Sequence, residues 1–218
     1  MQTEKEFTKS YFDTAYGPYY RLRNPRYKWQ SFLSEIRKHK NDGSLLDIGC
    51  AYGLFLQEAS SHYDCTGTDI SFHAVEHARA ALPTEISLFV GAVGNLHLTA
   101  SYDLVTCFDI LEHTKDLGEA LDNIWSLLED GGVLAITIPV YDGPLGWLVN
   151  ILDKDETHTY RRARNFWLEE VSKRFDILDY VGIWRYFFFH RFYLNLLSRG
   201  TRRITPAIMV LARKTVRK

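Results

Sequence analysis

Cysteine is scarce in this chain, limited to Cys50, Cys65 and Cys107. Three scattered thiols exclude a disulfide framework, and none stands at metal-ligand spacing. Reduced thiols in a cytoplasm are the expectation. Long apolar runs are also missing. The nearest, Val181 to Leu197, is interrupted by Arg185 and Arg191, so no transmembrane helix is expected. Met1 to Ser10 is polar and charged, unlike a secretory signal peptide. There is no internal repeat, no low-complexity tract and no nucleic-acid-binding motif, which sets nucleic acid aside as a partner.

A large net charge is absent as well, but the formal value of −1 hides an asymmetry. Residues 158–218 hold 14 Lys or Arg against 4 Asp or Glu, and residues 1–157 hold 12 against 23. A basic C-terminal third attracts phosphates, nucleic acid or anionic lipid, or simply the acidic remainder of its own chain. Hydrophobic residues at 46% and charged residues at 24% describe an ordinary globular protein. Its 218 residues suit one α/β domain.

Apolar patterning divides the chain. Trp29, Phe32, Leu33 and Ile36 recur at helical spacing, and residues 1–43 read as an N-terminal helical cover broken by Pro18 and Pro25. Short apolar runs follow at 44–48, 65–69, 86–90, 102–108 and 133–138, with helix-length segments at 54–60, 72–81 and 117–129. Such alternation predicts βαβ units and a doubly wound, mostly parallel sheet. Residues 140–165 read as a long loop or lid. Asn165 is a candidate N-cap for a helix to Arg174. Strands at 175–184 and 207–213 complete seven, the last antiparallel. Between them, Phe187 to Arg203 reads as an added helix. The segment 184–203 mixes bulky aromatics with arginines, which suits a membrane interface or lipid-linked substrate, a homodimer face, or core packing.

The densest local signal is Asp47-Ile48-Gly49-Cys50-Ala51-Tyr52-Gly53, placed between a strand and a helix. Glycines there let backbone pass close to a ligand. The spacing does not match the G-x-G-x-x-G of dinucleotide-binding folds, and Asp47 would repel a pyrophosphate while suiting ammonium and sulfonium charges. Asp69 ends the second strand, where a carboxylate accepts from ribose hydroxyls or else caps the next helix.

These residues resemble the first motif of class I S-adenosylmethionine-dependent methyltransferases. Residues 102–113, Tyr-Asp-Leu-Val-Thr-Cys-Phe-Asp-Ile-Leu-Glu-His, resemble that family's fourth-strand motif, and residues 127–134 its turn into the fifth strand. The similarity covers roughly 44–139 and lies nearest the broad type 11 small-molecule branch. It implies a Rossmann-like methyltransferase fold, an S-adenosylmethionine cofactor and a small-molecule acceptor. Gly49, Cys50, Ala51 and Gly53 would pass under the methionine part, with Asp47 near its amino group. Asp69 would hold the ribose, Ile70 the adenine, and Phe108 and Asp109 the sulfonium side. Relatives often carry an acid after the third strand; here Ala92 stands there, leaving adenine to backbone groups, packing or Asn95. Tyr11 and Tyr16 would cover the cofactor or pack a helix.

The acceptor side has no motif. His158, in the loop after the fifth strand, is a candidate base or a solvated histidine. His113 is a second candidate, with capping of its strand end as the other reading. Arg161, Arg162 and Arg164 would grip an anionic acceptor or form a solvated face. A nicotinamide oxidoreductase, a non-catalytic binding module and a membrane-surface adaptor are the rival readings.

Overall fold

A computed structural model describes residues 20–96, 98–153, 155, 157–188 and 192–215. The order is α1 (Tyr20–Arg23), α2 (Arg26–Ile36), β1 (Gly43–Ile48), α3 (Leu54–Ala59), β2 (Tyr63–Asp69), α4 (Phe72–Ala81), β3 (Ser87–Val90), β4 (Tyr102–Phe108), α5 (Leu117–Leu127), β5 (Leu128–Pro139), α6 (Gly146–Leu152), α7 (Arg164–Ser172), β6 (Phe175–Phe188), β7 (Phe192–Ser198) and β8 (Ala207–Lys214). Tyr11 and Tyr16 lie outside the described residues.

Eight strands form one sheet, ordered β3-β2-β1-β4-β5-β8-β6-β7. Strands β1 to β5 are parallel, and β8 inserts antiparallel between β5 and β6. The alternating pattern therefore gives the expected doubly wound sheet. Apolar side chains alternate between two cores, one per face. Leu46, Ile48, Val210 and Ala212 meet α5 and α7 through Leu121, Ile124 and Trp167. Leu45, Met209 and Leu211 share the other face with Trp29, Phe32, Phe55 and Val75.

Helix ends follow side-chain chemistry. The Asp116 carboxylate accepts from the Glu119 amide at 2.9 Å and starts α5, whose buried Leu117, Ala120, Leu121, Ile124 and Leu127 recur at helical spacing. Ser71 caps α4 through the Ala74 amide. Replacing Asp116 with Ala should cost about 1 kcal/mol of stability, read as a lower denaturation midpoint with an unchanged slope. The start of α7 differs from expectation: Ala163, not Asn165, occupies the cap position, without a side-chain bond.

Further expectations change. The sheet has eight strands, not seven, and the described parts of 187–203 are strand and turn rather than helix. Strand β6 runs on to Phe188 and pairs antiparallel with β7, Trp184 facing Leu196 and Arg185 facing Asn195. A strand ending at Trp184 leaves a segment too long for a hairpin turn. In the fold the strand continues, because its neighbours are aromatic and branched residues that favour a pleated surface and an open edge is available for pairing. The segment 140–165 is also not wholly irregular, since α6 lies within it with Trp147, Ile151 and Leu152 exposed.

The charge asymmetry is used internally in part. Arg174, Arg185 and Arg199 pair with Asp122, Asp109 and Glu35. No helix among the described residues is long and apolar enough to cross a membrane.

Candidate active site

The strand order reverses between β1 and β4, and the carboxyl ends of β1, β2 and β4 open there into one cleft. Such a switch point is where parallel sheets hold ligands, because diverging connections leave a crevice. The cleft gathers Asp47, Gly49, Cys50, Ala51, Asp69, Ile70, Phe108, Asp109 and His113 from segments far apart in sequence. Gly53 does not line it.

The turn after β1 takes its shape from left-handed backbone. Gly49 has φ 78°, Gly53 φ 74° and Ala51 φ 46°. A Cβ on Gly49 would stand 2.2 Å from Ile110 Cδ1, so the backbone conformation favours glycine there and any side chain would force Ile110 to turn aside. Gly53 is constrained by Leu82 instead, so its role is to turn the chain into α3. The strained Ala51 is fastened by its amide, which donates to Asp69 Oδ2 at 2.8 Å. Asp69 Oδ1 accepts from the Ser71 amide at 2.8 Å. The carboxylate thus ties two loops together, and each oxygen keeps a second lone pair for a ligand hydroxyl.

Two buried carboxylates face this cleft. Burial pushes Asp69 up to about 6, against the backbone amides of Ser71 and Ala51. Burial pushes Asp47 up to about 7, opposed by the Thr106 hydroxyl that donates to it at 2.7 Å and reinforced by the charge of Asp69. Neither carboxylate has an ion-pair partner among the described residues, so a cationic or hydroxyl-rich ligand is what would restore their ionised forms.

The loops after β2 and β3 contribute Ile70, Gly91, Ala92 and Val93 to the cleft. The side chain of Asn95 is not described. Opposite them, α1, α2 and the turn between them bring in Tyr20, Asn24, Lys28 and Trp29, none of which sequence reading placed in the site. Lys28 is buried, donates to Asn24 Oδ1 at 2.9 Å and lies 4.2 Å from the centre of the Trp29 ring. Burial lowers its pKa to about 8, opposed by the charge of Asp109. The helical spacing of Asn24 and Lys28 was the available signal, but Pro25 between them obscured it.

Phe108 packs edge-on against Phe55, with ring centres 4.9 Å apart, and beside Phe32 and Trp29. Asp109 follows in left-handed backbone, φ 56°, and pairs with Arg185 at 2.6 Å and the Thr137 hydroxyl at 3.0 Å. Burial works against its charge, yet Arg185 and Lys28 outweigh burial and hold the carboxyl below its ordinary range.

The region around His113 is less uniform. His113 and His158 come together, ring centres 4.6 Å apart, although 45 positions separate them in sequence. Burial, aided by His158, lowers His113 to about 4. His158 Nδ1 lies 2.6 Å from Asp153 Oδ2, with the Tyr141 hydroxyl at 3.1 Å. The three arginines do not converge. Arg164 is buried and committed to Asp142, the Arg202 carbonyl and the Thr205 carbonyl. That removes it as an acceptor grip: its guanidinium has no donors turned to the cleft. Arg161 donates to the carbonyls of Asp153 and Asp155, and Arg162 lies over Phe166.

Comparison with known proteins gives a consistent result. A methyltransferase-domain family profile matches residues 20–195. The mitochondrial ubiquinone biosynthesis O-methyltransferase of Candida albicans is 28% identical over 177 residues, covering 68% of this chain and 54% of that protein. The chain thus spans about half the length of that relative. An S-adenosylmethionine-dependent methyltransferase from Clostridium acetobutylicum superposes with a TM-score of 0.69 at 17% identity, covering 95% of this chain and 99% of that one. The N-methyltransferase NodS of Bradyrhizobium japonicum, solved with S-adenosyl-L-homocysteine, gives 0.65 at 17% identity over 91% and 92%. At that identity the structures speak to the fold. Sequence, sheet order and cleft agree, and the chain belongs to the methyltransferase-domain family, with the class I fold of S-adenosylmethionine-dependent enzymes.

Proposed function

We propose that the protein transfers a methyl group from S-adenosylmethionine to a hydroxyl oxygen of a small acceptor, on a sugar, lipid-linked or secondary-metabolite scaffold. The observation that carries the reading is the pair of buried carboxylates, Asp47 and Asp69, set around a left-handed glycine turn. Their chemistry fits this cofactor, which brings an ammonium, a ribose diol and a sulfonium. Asp47 would meet the amino group and Asp69 the ribose. Gly49, Cys50 and Ala51 would pass beneath the methionine chain, and Ile70 would pack on the adenine. Phe108 and Asp109 would stand beside the sulfonium, with Tyr11 and Tyr16 as a cover.

The bound cofactor supplies an already activated methyl group, so the protein's work is to align the acceptor and exclude water. Trp29, Phe55 and Phe108 give the cleft a dry wall. An acceptor hydroxyl also has to lose its proton, and His113 and His158 are the groups we assign to that activation. Arg161 and Arg162, on the exposed loop, would steer an acceptor that carries negative charge. Oxygen as the acceptor atom is supported by the Candida albicans relative, named an O-methyltransferase.

Titration of the two carboxylates gives the test. Between about pH 4 and their raised values of about 6 and 7, the folded protein binds more protons than the unfolded chain. Their contribution to stability therefore falls as pH rises through that window. A cationic ligand favours the ionised forms, so affinity should climb from pH 5 to pH 8, by up to about tenfold per unit and proton. Calorimetry in buffers of different ionisation enthalpy should show proton release on S-adenosylmethionine binding and no binding of NADH. Labelled methyl should then pass to hydroxylated acceptors and not to their methyl ethers. Failure of the folded protein to bind S-adenosylmethionine would overturn the reading.

A further inference from the structure

Beside the acceptor end of the cleft, Glu112, His113 and His158 each place one metal-ligating atom within 4.8 Å of the others. The first two end the short turn Leu111–His113, and the third stands on the loop before α7. That loop is pinned beside them, since the amides of Thr159 and Tyr160 both donate to the Glu112 carbonyl, at 2.8 and 3.1 Å.

The hydrogen bonds around the imidazoles orient them as ligands. Thr157 Oγ1 donates to Asp155 Oδ1 at 2.5 Å, which leaves its oxygen to accept from His113 Nδ1 at 2.8 Å. His158 Nδ1 donates to Asp153 Oδ2. Both rings then carry the proton on Nδ1 and present Nε2 as a lone pair. A hydroxyl or carboxylate behind a histidine is the arrangement that fixes tautomer and ring orientation at metal sites.

Glu112 provides an independent observation. Its side chain is 1% exposed, and Oε2 has no hydrogen-bond partner. A buried carboxylate oxygen without a donor is costly, and a cation would satisfy it. Asp109, Asp153 and Asp155 add negative charge nearby, opposed by Arg185 and Arg161.

We propose that Glu112, His113 and His158 bind a divalent transition-metal cation, zinc(II) as first choice, whose open position faces the acceptor. Two imidazoles and one carboxylate are a borderline donor set suited to such ions, and three protein ligands leave a position for water or substrate. A tetrahedral ion with bonds of about 2.1 Å needs ligands roughly 3.4 Å apart, so binding would draw these three ligand atoms, which lie within 4.8 Å of one another, closer together. The inference rests on the methyl-transfer reading and specifies how the histidine pair serves it. The ion would raise the acidity of a coordinated acceptor hydroxyl, whose proton would leave to water. The resulting oxyanion takes the methyl group from the sulfonium, whose sulfur keeps the bonding pair as a neutral thioether.

The test is zinc binding to the full chain after treatment with a chelator, by calorimetry and metal analysis, with cobalt(II) absorption reporting coordination. Expected are one zinc per chain and at least 100-fold weaker binding in Glu112→Gln and His158→Ala, with His62→Ala unaffected. S-adenosylmethionine binding, measured on the same variants, reports that each is folded. Absence of zinc binding, or zinc affinity unchanged in both site variants, would overturn the metal site while leaving the cofactor reading standing. Loss of S-adenosylmethionine binding in the wild type would instead strike the methyl-transfer reading and not the zinc result.

Discussion

Asp69→Ala should weaken S-adenosylmethionine binding by about a thousandfold. Two ligand hydroxyls donating to a carboxylate are worth about 1.5–3 kcal/mol each, and 1.4 kcal/mol is a factor of ten. The variant also releases the amides of Ala51 and Ser71, so the left-handed turn after β1 loses its anchor. Asp69→Asn separates the two effects. Its amide oxygen can still accept from one loop amide, while it can no longer serve as a charged acceptor for both hydroxyls. An intermediate affinity with a flattened pH dependence is expected. Calorimetry gives the affinities, and thermal unfolding checks that each variant is folded. An Asp69→Ala protein that binds within threefold of wild type would remove Asp69 from the ribose role.

Asp142→Ala should lower stability by about 3 kcal/mol, because it leaves a buried guanidinium without its counter-charge. Arg164 donates to both oxygens of Asp142 through Nε and to Oδ1 through Nη2 at 2.8 Å. Its remaining donors reach the carbonyls of Arg202 and Thr205. One side chain therefore joins the segment after β5, the start of α7 and the turn before β8. For a protein of this size the melting temperature should fall by roughly 6–12 °C. Removing both partners, in Asp142→Ala with Arg164→Met, should cost less than the sum of the single changes, since the second change takes away the stranded charge. A melting temperature unchanged in Asp142→Ala would show that solvent entering at position 142 compensates the arginine.

The cofactor side of the cleft was legible because its constraints are local. Gly49 must adopt left-handed backbone next to Ile110, and Asp47 and Asp69 must end adjacent parallel strands. Each requirement writes a residue type at a fixed distance from an apolar run. The acceptor side was not legible in that way. Arg161, Arg162 and Arg164 stand together in sequence, yet Arg164 turns inward to Asp142 while Arg162 lies over Phe166. Sequence proximity says nothing of which way each guanidinium points.

What the sequence determined by itself is the alternation of strands and helices, the parallel sheet it implies, and the glycine turn with its two acids. Those depend on periodicity, backbone sterics and charge, all properties of short windows. Only the tertiary structure decided that β6 continues into an edge hairpin with β7, since that choice depends on a free sheet edge. It also decided that Lys28 enters the cleft, that Arg185 neutralises Asp109, and that His158 meets His113 beside an unpartnered Glu112 oxygen. These are encounters between distant segments, and they exist only once the sheet order has fixed which loops share an end.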